Sequence, residues 1–192
     1  MNTMNKLLIV LVLFAVLSAC GNNKTQTKKY FRISSDIISA EETIADTLVI
    51  KRPTALSILG GRPMVATKED NSLVQLSNHF WLESPKVLLQ DILRKWAQAH
   101  WQQVTTQVPQ QQHHVLNTRI LAFEKVQDQA LVTLEFNLYD ADNKLLYSEQ
   151  FSQHQPLQED GYKAFAKAIG QAIDTILNQL SEHMSHVIES TD

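Results

Sequence analysis

Histidine is the residue type in this chain that is best suited to hold a metal ion, and the chain contains seven. His113 and His114 are adjacent in a polar segment, and His183 and His186 lie three positions apart, which suits one face of a helix. Neither pair has a third ligand at a defined spacing. We therefore expect solvated histidines rather than a zinc or copper site, and we predict no metal and no other cofactor.

Paired carboxylates are the next candidates for chemistry, as a general acid and a general base. Glu41-Glu42 and Glu159-Asp160 are such pairs, but both lie in polar segments, where solvated or helix-capping roles are the simpler expectation. The sequence also lacks the Gly-x-Ser-x-Gly, His-Glu-x-x-His and phosphate-loop motifs. We therefore predict no catalytic residues, and we do not expect an enzyme.

The single cysteine, Cys20, cannot form an internal disulfide bond, and its isolation excludes cysteine-rich zinc or iron–sulfur sites. It follows Lys6 and an apolar run of eleven residues, 7–17. As a helix this run would span about 16 Å, whereas the hydrocarbon core of a membrane is about 30 Å thick. The run is therefore too short for a stable membrane span, and it fits the apolar region of a secretory signal peptide.

The residues directly after this apolar region resemble a bacterial lipobox, Leu17-Ser18-Ala19-Cys20. The resemblance implies cleavage before Cys20, a diacylglyceryl thioether on its sulfur, and a fatty acyl group such as palmitate on its amino group. Two or more acyl chains anchor a protein far more stably than one. An ordinary signal peptide with a chance cysteine is the alternative. Removal of residues 1–19 leaves 16 Lys and Arg against 20 Asp and Glu, a formal net charge of −4.

The segment 20–29 consists of this cysteine and nine residues without an apolar side chain, and we expect it to be a flexible tether. Lys24, Lys28 and Lys29 are close enough to the anchor to meet anionic headgroups, although a merely solvated linker is equally compatible. In lipoproteins of this kind, Asp after the lipidated cysteine often signals retention in the inner membrane. Gly21 stands there instead, so the resemblance implies the periplasmic face of the outer membrane.

Composition predicts one folded domain after the tether. The chain has 192 residues, of which 44% are hydrophobic, enough for a core and incompatible with disorder throughout. The chain has a formal net charge of −3 and therefore lacks the excess of basic residues that nucleic-acid-binding proteins usually have. We expect a signal peptide at 1–19, the lipidated cysteine and tether at 20–29, a single periplasmic domain at 30–184 and a frayed tail at 185–192.

Two helices and a group of strands are predicted from the spacing of apolar residues. The first helix begins at Ser84-Pro85 and is expected to stop before Pro109. The second carries a long apolar stripe that includes Phe165, Ala168, Ile169, Ala172, Ile173, Ile176, Leu177 and Leu180. Alternating strands are expected at 115–123, 132–139 and 145–151, and shorter strands at 30–33, 47–52, 64–67 and 73–76. The predicted fold class is α+β, an antiparallel sheet with a three-strand meander between two helices packed on one face.

Four features follow one another along the mature chain. They are Tyr30-Phe31-Arg32-Ile33, the strand 47–53 followed by Arg62-Pro63-Met64-Val65, then Trp81-Leu82-Glu83 before the first helix, and Ile176-Leu177-Asn178-Gln179-Leu180-Ser181. In this order they resemble the ABC-type transport auxiliary lipoprotein family, whose members include the paraquat-inducible protein C type. The resemblance implies a non-enzymatic accessory of transporters that move lipids or other hydrophobic compounds, often together with MCE-domain proteins. The lipoprotein would dock the outer end of such a transporter at the outer membrane.

Exposed apolar side chains are the candidates for binding such a partner. Our first choice is Leu56 and Leu59, which lie in a segment, 53–63, without strand or helix periodicity. Our second choice is Trp101, which lies off the apolar stripe of the first helix, whereas Trp96 lies on that stripe and is expected in the core. Core packing is the competing expectation for each of the three candidates.

A second function class stays open, a lipoprotein that itself binds a hydrophobic ligand or assists outer-membrane assembly. A closed apolar cavity of ligand size would favour ligand binding, whereas a solid core with an exposed apolar loop would favour docking. The sequence does not identify the cargo or the transporter, and it leaves homo-oligomerisation open.

Overall fold

The computed structural model describes residues 27–36 and 43–189, with side chains described as far as Met184 in the last helix. Over these ranges the chain forms nine strands and two α-helices, and neither helix is both long and apolar enough to cross a membrane. The strands are β1 (Lys29–Phe31), β2 (Ile44–Ile50), β3 (Thr54–Ala55), β4 (Pro63–Thr67), β5 (Leu73–Trp81), β6 (Trp101–Thr105), β7 (His114–Val126), β8 (Gln129–Tyr139) and β9 (Leu145–Pro156). The helices are α1 (Pro85–His100) and α2 (Tyr162–Glu189), and a short 3-10 helix covers Ser57–Leu59.

Strand β7 organises the sheet because it is paired along both of its edges. On one edge it is antiparallel to β8, which is antiparallel to β9, so the predicted three-strand meander is present. On the other edge β2, β3 and β4 lie beside it one after another, all parallel to it. Strand β6 is parallel to β2, β5 is antiparallel to β4, and β1 is parallel to β5.

The fold is therefore α+β with a mixed nine-stranded sheet, and the expectation of a simple antiparallel sheet is wrong. Parallel neighbours need a long crossover connection. Here the chain passes from β4 through β5, α1 and β6 before it returns as β7. Alternation of apolar and polar residues identifies a strand locally, but it does not report which distant strand becomes the neighbour.

Helix α1 ends at His100, which agrees with the expectation that it stops before Pro109, and Trp101 begins β6. The last residues of β6, Val104 and Thr105, are β-branched and favour extended backbone. They pair in parallel with β2. Pairing with a neighbouring strand therefore ends the helix at His100.

The apolar stripe of α2 is buried, as predicted. Six of its residues are 0% exposed, namely Phe165, Ile169, Ala172, Ile173, Ile176 and Leu180. Helix α1 contacts α2 through Trp96, whose Nε1–H donates to Ser181 Oγ at 2.9 Å. Buried side chains of both helices and of the sheet form one hydrophobic cluster. The helix extends to Glu189 and so reaches into the segment 185–192 that the sequence predicted as a tail.

The first described residues attach the beginning of the domain to both the sheet and α2, and we call residues 29–36 the N-terminal strap. Its strand, β1, pairs with β5, and the Leu82 N–H donates to the Phe31 carbonyl oxygen at 2.7 Å. Beyond β1, the Asp36 N–H donates to Asp174 Oδ2 of α2 at 3.0 Å. The strap is therefore hydrogen-bonded to two different elements of the fold.

Gly170 lies where the N-terminal strap crosses α2. A Cβ atom at this position would lie 1.8 Å from the carbonyl oxygen of Ser34, so the two backbones can approach this closely only because residue 170 is glycine. Ser35 Oγ donates to Asp174 Oδ1, about one helical turn farther along α2. The strap thus occupies a notch in the helix surface.

Candidate functional site

Cys20 and the rest of residues 1–26 lie outside the described residues, so the signal peptide, the lipidation and most of the tether stay predictions. The described chain starts just before β1, which stands at the end of the strand order and forms an outer edge of the sheet. An anchor at Cys20 would therefore be connected to the domain through an edge strand and the N-terminal strap.

Between β3 and β4 the chain leaves the edge of β7 for a short distance. Ala55 of β3 pairs with Ile120, and Val65 of β4 pairs with Glu124. Between these two pairs the chain advances by ten residues, whereas β7 advances by four. The surplus residues extend out of the ladder as the 3-10 helix and the turn after it. We call residues 56–62 the excursion. The segment predicted as an irregular loop is thus partly regular.

Within the excursion, Leu56 is 40% exposed, whereas Leu59 is 2% exposed and belongs to the core. Leu56 has extended backbone angles (φ −57°, ψ 146°) and precedes the 3-10 turn, in which the Leu59 N–H donates to the Leu56 carbonyl oxygen at 2.9 Å. The turn carries Leu59 into the core and leaves Leu56 outside. The prediction that both leucines are exposed is therefore wrong for Leu59, and a role of Leu56 in partner binding stays a prediction.

Trp101 is 2% exposed, so the expectation that it offers a contact surface is wrong. It begins a strand instead of continuing α1, and its side chain belongs to the hydrophobic cluster. Its ring lies 5.6 Å from that of His114, and its Nε1 has no hydrogen-bond partner among the described residues. Trp101 therefore acts in packing, at the cost of one unpaired indole N–H.

The adjacent histidines of the sequence analysis are not solvated loop residues. His113 is 6% exposed, and its Nδ1 lies 2.8 Å from the Gln111 carbonyl oxygen. His114 begins β7, and its Nδ1 lies 2.8 Å from Asp46 Oδ2. In the described ranges no three His, Cys, Asp or Glu side chains come together as a group that could hold a metal ion. His113 is therefore buried and hydrogen-bonded, and His114 lies beside a carboxylate at the start of β7.

His183 connects α2 to the edge strand β9. Its Nδ1 lies 2.7 Å from Glu149 Oε2, and the Tyr147 O–H donates to the same oxygen at 2.5 Å. The hydrogen bond from Tyr147, and then that from His183, hold the pKa of the Glu149 carboxyl below its usual value. Burial and the neighbouring Glu149 raise the pKa of the Tyr147 phenol well above its usual value. Tyr147, Glu149 and His183 thus form a polar contact between α2 and β9. The side chain of His186 lies outside the described residues.

Among the hollows on the described surface, two come near the size of a ligand site, and both are open to solvent. One, of about 280 Å³, lies between the end of β9 and the start of α2, and Glu159 and Lys167 are among its lining residues. The other, of about 250 Å³, lies beside the turn between β8 and β9 and includes Lys51 and Asn143. Both fall just below the usual volume of small-molecule sites, which starts at about 300 Å³. Neither is the enclosed apolar cavity that a hydrophobic ligand requires.

A group of cations and aromatic rings lies on the edge formed by β1 and β5, where the chain enters the domain. Tyr30 and Phe80 are neighbours across the two strands, with ring centroids 5.6 Å apart. Lys28 Nζ lies 5.6 Å from the Phe80 centroid, and Arg62 Cζ lies 5.0 Å from the Tyr30 centroid. Both distances are within cation–π range. We call these four residues the cation–aromatic surface.

Sequence reasoning singled out Lys28 but missed this surface as a whole. Arg62 and Phe80 reach it only because β5 pairs with β1 on one side and with β4 on the other. The single hint in the sequence was Tyr30, an aromatic residue flanked by basic residues in a polar segment. The surface is therefore a product of long-range strand pairing.

Comparison with known proteins identifies relatives at the level of family and fold. A family model described as "ABC-type transport auxiliary lipoprotein component" matches residues 35–181. The crystal structure of protein XCC0632 from Xanthomonas campestris is similar, with a TM-score of 0.75, 14% identity, and coverage of 85% of this chain and 98% of that one. That of an uncharacterized protein has a TM-score of 0.69, 17% identity, and coverage of 82% and 99%. No curated protein matches the sequence significantly.

Proposed function

The chain belongs to the family of ABC-type transport auxiliary lipoprotein components, and on this premise we propose that it docks an envelope transporter at the outer membrane. The transporter would move lipids or other hydrophobic compounds and would include an MCE-domain protein that bridges the periplasm. In this role the domain binds its partner and holds it near the membrane, and it catalyses no reaction.

The observation that carries this proposal is the family match over residues 35–181, which is almost the whole described domain. The family description names an ABC-type transport system, from which we infer the class of partner. It also names a lipoprotein, from which we infer a lipid anchor. A tethered domain meets a partner at a raised effective concentration. The tether therefore lowers the intrinsic affinity that docking requires.

Leu56 is the contact that the geometry favours among the residues named from the sequence. It is exposed at the start of the excursion, and its N–H donates to the Ile120 carbonyl oxygen of β7 at 3.4 Å. Leu59, three positions later, holds the same segment in the core. Leu56 is thus an apolar side chain outside the core on a segment that the core supports, as expected of a binding anchor.

The alternative that the domain itself carries a hydrophobic ligand has weaker support. A site for such a ligand encloses most of its surface among apolar side chains. The two hollows described above are open and include charged side chains such as Glu159, Lys167 and Lys51. Docking therefore remains the function that these surfaces support best.

Leu56→Ser is expected to leave the fold intact and to weaken co-purification with the transporter. A central apolar anchor can contribute about 2 kcal/mol or more to an interface, which corresponds to a loss of affinity of more than about tenfold. The measurements are circular dichroism of the purified domain and co-purification of the MCE-type partner from solubilised envelopes.

Leu59→Ser is the matched control, since it makes the same replacement three positions away at a buried residue. It is expected to lower the free energy of unfolding by about 2–5 kcal/mol. A Leu56→Ser variant that unfolds, or that folds and still binds the partner fully, would show that the contact lies elsewhere.

Cys20→Ser is expected to abolish lipidation, because Cys20 carries the only thiol in the chain. Cells are labelled with a radioactive fatty acid, and the protein is precipitated and also followed by membrane fractionation. The wild-type protein should incorporate label and fractionate with the outer membrane, whereas the variant should do neither. Equal labelling of both proteins, at equal expression, would contradict the lipoprotein assignment.

A further inference from the structure

The cation–aromatic surface has the chemistry of a membrane–water interface. Its members form a ladder in the order Lys28, Phe80, Tyr30 and Arg62, each in contact with the next. Tyr30 is 51% exposed, and both cations are exposed. Tyrosine is enriched at membrane interfaces, where its ring and hydroxyl meet different environments, and long basic side chains extend their charges toward headgroups.

The charges of this surface are available to an external anion. Among the described residues, the basic side chains that lie within ion-pair distance of a carboxylate are His114 and His183, so Lys28 and Arg62 have no described carboxylate partner. The Nε of Arg62 donates to the Trp81 carbonyl oxygen at 3.3 Å, a bond that orients the guanidinium and leaves it charged. Each cation is thus held over a ring, with no carboxylate partner among the described residues.

Positive charge is also concentrated where the chain would leave the membrane. Residues 21–36 carry a net charge of +3, from Lys24, Lys28, Lys29 and Arg32 against Asp36. The mature chain as a whole carries −4. An anionic bilayer attracts this end of the molecule and repels the rest, so the charge distribution favours one orientation.

The tether keeps this surface within reach of the bilayer. Eight peptide steps separate Cys20 from Lys28, and fully extended they span at most about 28 Å. Because the chain enters the fold beside Lys28, the cation–aromatic surface is the described surface next to the point of attachment. A lipid anchor at Cys20 would therefore bring this surface to the headgroups before more distant parts of the domain.

We propose that the cation–aromatic surface binds anionic phospholipid headgroups and thereby sets the orientation of the domain on its membrane. The proposal rests on lipidation of Cys20, which is part of the function proposed above, and adds a second contact to it. The acyl chains provide attachment, and the surface determines which side of the domain faces the bilayer.

Vesicle sedimentation tests the surface without the lipid anchor. The full mature chain carrying Cys20→Ser is mixed with vesicles of phosphatidylglycerol and phosphatidylcholine, and with vesicles of phosphatidylcholine alone. We expect binding to the anionic vesicles that falls with added salt, because the attraction is screened. We expect little binding to the neutral vesicles.

Lys28→Gln combined with Arg62→Gln is expected to lower the affinity for anionic vesicles roughly 25-fold, since each basic side chain near such a membrane contributes about fivefold. Arg94→Gln combined with Lys95→Gln is the matched control, because it removes the same charge from the exposed face of α1. Circular dichroism verifies that each variant folds. If the first variant misfolds, Lys28→Glu replaces it, and a loss of about fivefold or more is expected.

Equal losses in the two double variants would show that only net charge matters and would overturn the proposal. Equal binding of the chain that carries Cys20→Ser alone to neutral and anionic vesicles would overturn it as well. These outcomes are independent of transporter docking, which is measured by co-purification of the Leu56→Ser variant. They are also independent of lipidation, because every protein in the vesicle experiment lacks the anchor.

Discussion

Ile173→Asp is expected to prevent the domain from folding. Ile173 is 0% exposed in the middle of α2, and a carboxylate there would be buried in the hydrophobic cluster. An unpaired buried charge and the loss of a core side chain together are expected to exceed about 4 kcal/mol. That approaches the whole stability of a typical domain, about 5–15 kcal/mol. The measurement is thermal unfolding of the unlipidated mature chain, followed by circular dichroism.

Asn178→Asp is the matched control for this prediction, since it places the same charge on an exposed position of the same helix. It is expected to change the stability by less than about 0.5 kcal/mol. A cooperative transition of Ile173→Asp at the wild-type temperature would show that α2 does not bury this face.

Gly170→Ala is expected to destabilise the domain, which is opposite to the usual effect of this replacement. In an ordinary helix interior, alanine is more stable than glycine by roughly 0.5–1 kcal/mol. Here the added methyl group would lie 1.8 Å from the Ser34 carbonyl oxygen, so the N-terminal strap must move away from α2. Such overpacking costs about 1–3 kcal/mol, and each kcal/mol lowers the melting temperature of a domain this size by about 2–4 °C.

Asn178→Ala controls for helix propensity in the Gly170 experiment, because it introduces alanine at an exposed position of the same helix. Its melting temperature is expected to equal or exceed that of the wild type. Faster amide hydrogen exchange at Leu82 and Asp36 should accompany Gly170→Ala, since the Leu82 N–H donates to Phe31 of the strap and the Asp36 N–H donates from the strap to Asp174. A more stable Gly170→Ala variant with unchanged exchange would contradict the described crossing of strap and helix.

The N-terminal strap also matters for function, because it connects the proposed anchor to the domain. Among the described residues, β1 and the contacts around Asp174 and Gly170 would connect an anchor at Cys20 to the core. A loosened strap would lengthen the flexible connection and free β1, which carries Tyr30 of the cation–aromatic surface. We therefore expect the contacts that stabilise the strap also to maintain the orientation of the domain.

Features that depend on neighbours along the chain were predicted well. The stripe of α2 was recognised because its apolar residues recur at the helical period, and burial of Ile169 and Ile173 followed directly. The predicted strands 132–139 and 145–151 left a gap between them, and the structure has the turn between β8 and β9 there. Asp140 Oδ1 accepts hydrogen bonds from the N–H groups of Asp142 and Lys144, and Asn143 adopts a positive φ of 62°.

Features that depend on distant residues were missed or misplaced. Trp101 was expected on a helix surface, yet pairing of β6 with β2 turns it into the core. Leu59 and Leu56 have the same side chain and neighbouring positions, but the 3-10 turn buries one and exposes the other. Gly170 attracted no notice, because its meaning depends on a strap more than a hundred positions away in the sequence.

The sequence by itself determined the α+β class, the main helix and meander, the family resemblance and the expected anchor at Cys20, because periodicity, turn residues and a contiguous motif are local properties. Only the tertiary structure decided that β2, β3 and β4 run parallel to β7, that Leu59 is buried, and that Phe80 and Arg62 join Tyr30. The physical reason is that burial of apolar surface is not directional. It favours removing a leucine or a tryptophan from water, and the pairing of distant strands determines which ones are removed.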